Sequence, residues 1–149
     1  MDRNTENDRA LGYLGLARRG GNLQVGDELV RAAVRAGKAR MLVLSADAGA
    51  HTLRRARNLS QTCDVPLFVS PWTKEDIGNA VGKGTCAMAA FTEPRLALAC
   101  LKALEQPPDE ALLEAVTLRA ERANRHDAEA RAHEKKHSRP AASRRKQTK

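Results

Sequence analysis

Gly26-Asp27-Glu28-Leu29-Val30-Arg31-Ala32-Ala33-Val34-Arg35-Ala36-Gly37 is followed by Lys38-Ala39-Arg40 and then by Met41-Leu42-Val43-Leu44-Ser45-Ala46-Asp47. One glycine opens a helix and a second stops it. The spacing predicts a helix over Asp27–Ala36, with Leu29, Val30, Ala33 and Val34 facing inward. Arg40–Ser45 is a mostly apolar run and reads as a central strand, buried on both faces. A helix that feeds almost directly into a buried strand fixes a layered architecture. It also sets an electropositive helix start beside a sheet edge, a natural place for an anion.

The flanks continue the alternation. Asn7 to Arg18 reads as a helix carrying Ala10, Leu11, Leu14 and Leu16, broken by Arg19-Gly20-Gly21. Asn22–Val25 is a short extended piece. Ala50–Cys63 is a helix, and Pro66–Val69 a strand with proline at its first residue, where strands tolerate it. Thr73 caps a helix through Val81, with Glu75 and Asp76 suited to its first turn. Gly82-Lys83-Gly84 is a loop, Thr85–Phe91 a buried strand, and Pro94 opens a last helix to Leu104. Alternating elements of this kind predict an α/β fold: a three-layer α-β-α sandwich around a small mixed four-stranded sheet.

Residues 107–149 differ in composition. Pro107-Pro108 stops what precedes them, and Leu112, Leu113, Val116 and Ala120 share one face of a helix that fades as Ala, Glu and Arg take over. Lys135 to Lys149 holds seven Lys or Arg and no acid. Such a block repels itself and buries nothing, so disorder is expected there. The division is therefore a folded domain over 1–106 and a basic extension over 107–149.

The 149-residue chain carries a net charge of +8. Residues 1–106 hold 15 basic and 11 acidic groups and residues 107–149 hold 11 and 7, so each part contributes +4. A basic balance points to polyanionic partners, nucleic acid first. Aromatic residues make up only 3%, so the core is aliphatic. Trp72 and Tyr13 stand alone, which speaks against base stacking as the mode of recognition. Cys63, Cys86 and Cys100 are odd in number and lack paired spacing. They fit neither a disulfide framework nor a zinc site and read as buried thiols in a reducing compartment. The first thirty residues show no apolar stretch of the signal-peptide kind, and no run suits a membrane span. A cytoplasmic location is expected.

Chemistry-bearing groups are few. Asp47, His51 and Cys63 are the candidates for acid–base or nucleophilic work, but no triad spacing frames them. No enzyme activity, cofactor or metal is expected. The glycine loops match neither a Walker loop nor a dinucleotide fingerprint. Arg54, Arg55 and Arg57 share one helix, a solvated face or a phosphate-contacting one.

The stretch Gly26 to Asp47, together with Val65-Pro66-Leu67 and Lys74-Glu75-Asp76-Ile77-Gly78-Asn79-Ala80-Val81-Gly82, resembles the L-seven-Ae / L-thirty-e ribosomal protein family, in particular its bacterial YlxQ-like branch. The resemblance covers residues 7–104. It implies an α-β-α sandwich that binds kink-turn RNA. In RNA-binding members the helix opens with Gly-x-Asn-Glu-x-x-Lys, whose polar residues meet the sheared G·A pairs and the backbone. The matching positions here are Gly26, Glu28, Leu29 and Ala32, with Asp27 between the first two. The glycine is kept and the three polar contacts are not. A good polar base contact is worth about 1–3 kcal/mol, so their loss removes the usual kink-turn grip. Arg31, Arg35, Lys38, Arg18 and Arg19 are nearby cations that can replace it with phosphate contacts. The second RNA-facing loop of the family maps to Gly82-Lys83-Gly84-Thr85. The expectation is a ribosome- or translation-associated protein that holds structured RNA mainly by its phosphates, with the basic extension adding sequence-independent affinity. A protein-interaction module of the same fold is the alternative.

Overall fold

In a computed structural model the backbone is described for residues 5–147 and the side chains for residues 8–135. The chain runs α1 (Thr5–Arg19), β1 (Leu23–Val25), α2 (Asp27–Arg35), β2 (Met41–Leu44), α3 (Ala50–Cys63), β3 (Leu67–Val69), α4 (Lys74–Val81), β4 (Met88–Phe91), α5 (Pro94–Lys102) and α6 (Glu110–Gln147). The four strands form one sheet in the order β1-β4-β2-β3. β4 is antiparallel to both β1 and β2, and β2 is parallel to β3. The sheet is mixed and has helices on both faces, the α/β sandwich expected from the alternation.

Period-two alternation along the central strands divides the core. Met41 and Val43 of β2, with Ala89 and Phe91 of β4, meet α1, α4, α5 and Val116 of α6. Leu42 and Leu44, with Met88 and Ala90, meet Val30, Ala33 and Val34 of α2 and Ala56 of α3. All four residues of β2 and of β4 are buried, which explains their continuous apolar runs.

Four details depart from the sequence reading. Leu29 does not face inward; it is 53% exposed. The buried stripe of α2 is Val30, Ala33 and Val34, and a position one residue earlier lies about 100° around the helix. Cys63 is exposed, because it is the last residue of α3, whereas Cys86 and Cys100 are buried. Trp72 is not isolated: it is buried, its ring edge-on to Phe68 with centroids 5.8 Å apart. The last strand begins at Met88 rather than Thr85, since the Cys86 amide donates to Lys74 O (2.9 Å) and holds that segment as a loop over α4.

Beyond the sheet, α6 packs along α5. Arg95 at the start of α5 pairs with Glu93 and with Asp127 of α6, and Arg119 donates to Asp64 O (2.7 Å) at the end of α3. Partial burial works to raise the Glu93 carboxyl, but hydrogen bonds from the Arg95 side chain and amide outweigh it and hold it below the ordinary range. The same guanidinium lowers Asp127 by a direct hydrogen bond. The backbone is helical past Lys135, to Gln147, where the sequence reading expects disorder. The side chains of Lys136, Arg139, Arg144, Arg145, Lys146 and Lys149 lie outside the described residues.

Candidate nucleic-acid interface

Gly26 joins β1 to α2 with φ 96° and ψ 156°, a conformation that favours glycine. Its amide donates to Met88 O (3.0 Å) and its carbonyl accepts from Val30 (2.9 Å), which fixes the helix start against the edge of β4. No side chain caps α2. The first-turn amides therefore face outward at the positive end of the helix. Two carboxylates belong to that turn. Asp27 is tied to Arg55 of α3 by an ion pair, while Glu28 is exposed.

Lys83 reaches this helix start from the far side of the sequence. A Cβ placed on Gly26 would lie 3.8 Å from Lys83 Nζ, so the ammonium sits directly over the glycine. The loop that carries it is held at several points. Gly82 closes α4 in the left-handed conformation, the Lys83 amide donates to Gly78 O (2.8 Å), and the Gly84 backbone lies flat on Gly78. On α1, Arg18 Nη1 donates to Val81 O (3.3 Å), which adds a second cation next to Gly82. Arg19 is exposed beside it on the last turn of α1. Beneath the loop the Cys86 thiol donates to Met88 O (3.3 Å). Burial pushes its pKa up against the opposing pull of the Gly26 amide, Lys83 and Arg18. A neutral thiol of this kind is part of the packing rather than a nucleophile.

The structure thus gathers Gly26, Asp27, Glu28, Leu29, Gly82, Lys83, Gly84 and Thr85 at one end of the sheet, with Arg18 and Arg19 alongside. Ala32 lies one turn further along α2 and is exposed. Arg31 faces α3, where it lines a small recess of about 160 Å³ with Arg55 and Asn58. Arg35 and Lys38 do not join the group: α2 spans nine residues, about 13 Å, and they stand at its other end. Leu29 adds an apolar knob at the helix start. Asp47 leaves any acid–base pairing with His51, because its Oδ1 accepts from the Lys74 amide (2.8 Å) and caps α4. There it supplements the Thr73–Asp76 capping box.

A second basic grouping escapes a reading confined to 1–106. Arg119, Arg122 and His126 share one face of α6 and look across a cleft at Arg40. Their i, i+3, i+7 spacing is the one signal in the sequence that could have found it.

No family model matches the chain. The RNA-binding protein YlxQ of Enterococcus faecium is 32% identical over 75 residues, which span 50% of this chain and 72% of the relative. A solved structure of a protein with unknown function from Bacillus halodurans superposes with a TM-score of 0.60 at 26% identity, over 66% of this chain and 98% of that one. With the mixed sheet between its two helical layers and this degree of identity, the chain belongs to the YlxQ-like bacterial branch of the L-seven-Ae / L-thirty-e ribosomal protein family.

Proposed function

We propose that the protein is a non-enzymatic, cytoplasmic RNA-binding protein, associated with ribosomes or translation, that grips structured RNA mainly through phosphates. The observation that carries this reading is the Lys83 ammonium seated over Gly26 at the uncapped start of α2. An ammonium and a helix N-terminus that converge from separate segments favour an anion together. Glu28, Leu29 and Ala32 offer no replacement for the polar base readout of kink-turn binders, so phosphate contacts carry more of the affinity. The RNA-binding name of the YlxQ relative supports the partner class.

Replacing Lys83 with alanine is expected to weaken binding about fivefold for unrelated structured RNAs alike. It should also reduce the slope of log affinity against log salt by about one. Fluorescence anisotropy on two RNA hairpins of different sequence measures both. Unchanged affinity and slope would remove Lys83 from the interface.

The exposed Leu29 favours a second reading, a protein-interaction module of the same fold. Partners that stay bound through nuclease digestion would support it.

A further inference from the structure

The cleft beneath α6 is unused by the reading above. It has a volume of about 600 Å³, and its basic lining is Arg40, Arg119, Arg122 and His126. Its floor is the opposite end of the sheet from Gly26: the Arg40 amide donates to Phe91 O (2.7 Å), whereas the Gly26 amide donates to Met88 O. Residues 119–127, which form one wall, lie outside the stretch 7–104 that carries the family resemblance.

We propose that this cleft is a second contact for RNA phosphates, so that one RNA is held at both ends of the sheet; the inference rests on the RNA-binding reading above. The charges in the cleft are available for it. Arg40 Nη1 donates to Gly37 O (2.7 Å), and Arg119 donates to Ala115 O (3.1 Å) and Asp64 O (2.7 Å). These are carbonyl partners, which orient a guanidinium without neutralising it. Asp127, which also lines the cleft, is taken by Arg95. The Asp64 carboxylate stands 3.9 Å from Arg119 and is fully solvated. Arg122 is exposed and has no ion pair among the described residues. Planar guanidinium forks match phosphate oxygens, and Val34, Ala39, Val65 and Pro94 give the cleft apolar walls that suit a sugar. A polyanion is the occupant that the geometry favours, because two cationic sites at opposite ends of α2, a helix about 13 Å long, reinforce each other only when one chain of phosphates reaches both.

The test is a double variant, Arg40→Ala with Arg122→Ala, in the full chain; both residues line the cleft, and the melting temperature checks that the fold is kept. Against a structured RNA hairpin its affinity should fall about tenfold and its salt slope by about two, with an unchanged melting temperature. A double variant that binds like the parent, while Lys83→Ala still weakens binding, overturns the cleft alone. Loss in the double variant with none in Lys83→Ala keeps the cleft and overturns the helix-start site. No RNA binding by the parent overturns both.

Discussion

Phe91→Ala is expected to be among the most damaging single substitutions in the folded domain, at about 3–5 kcal/mol. Phe91 is fully buried in β4, with Leu23 of β1 and Met41 of β2 as its register partners. It is one of two phenylalanines in the chain and, at 0% exposure, the most deeply buried aromatic of its core cluster, ahead of Phe68 and Trp72. Its neighbours are held by strands on both sides and cannot collapse into the space it leaves. Total stability of a domain is only about 5–15 kcal/mol, so this loss is a large share of it. For a chain of this size the melting temperature should drop by about 10 °C or more. A thermal melt followed by circular dichroism measures it. A loss below about 1 kcal/mol would mean that the sheet does not pack as described.

Gly78→Ala should follow, and its effect reaches the RNA site. A Cβ at residue 78 would lie 2.5 Å from Gly84 O and 2.8 Å from both Gly84 C and Thr85 Cα. These are backbone atoms and cannot swing aside. Overpacking of this kind costs about 1–3 kcal/mol, and rigid obstructing atoms put it at the upper end. The strain is relieved most readily by lifting the Gly82–Thr85 loop, which carries Lys83 away from Gly26. Melting temperature and RNA affinity should therefore fall together, with affinity measured well below the melting midpoint. Lower stability with unchanged affinity would show that the loop does not position the RNA contact.

Much of the fold was readable because each element carries its own local chemistry. Ala50–Cys63 has the bounds expected from its periodicity, and Thr73 forms the capping box its position suggests. Where local signals were ambiguous the reading slipped. Leu29 fits an apolar helical pattern as well as Val30 does, and only packing against α3 and β4 decides which of them is buried. Thr85–Ala87 lead straight into the apolar run of β4, yet the Cys86 amide turns to Lys74 O of α4 and only the Ala87 carbonyl, accepting from Ser45, reaches the neighbouring strand's end. The strand order depends on long-range pairing that no segment encodes alone.

The candidate site was legible only as two separate loops. Gly26 and Lys83 are 57 positions apart, and their contact exists only once β1 and β4 pair. The same tertiary arrangement divides cations that look equivalent in sequence. Arg35 and Lys38 follow Gly26 closely along the chain, yet the rise of α2 carries them to the other end of the sheet. The Asp27–Arg55 pair was also unreadable, since it joins two helices that are neighbours only through the packing on β2 and β4.

The salt dependence of RNA binding by the full chain tests the phosphate grip most directly. With a structured RNA hairpin, log affinity should fall linearly with log salt concentration, with a slope of about −3 or steeper from the helix-start and cleft cations together. Affinity that stays level from low to moderate salt would contradict it.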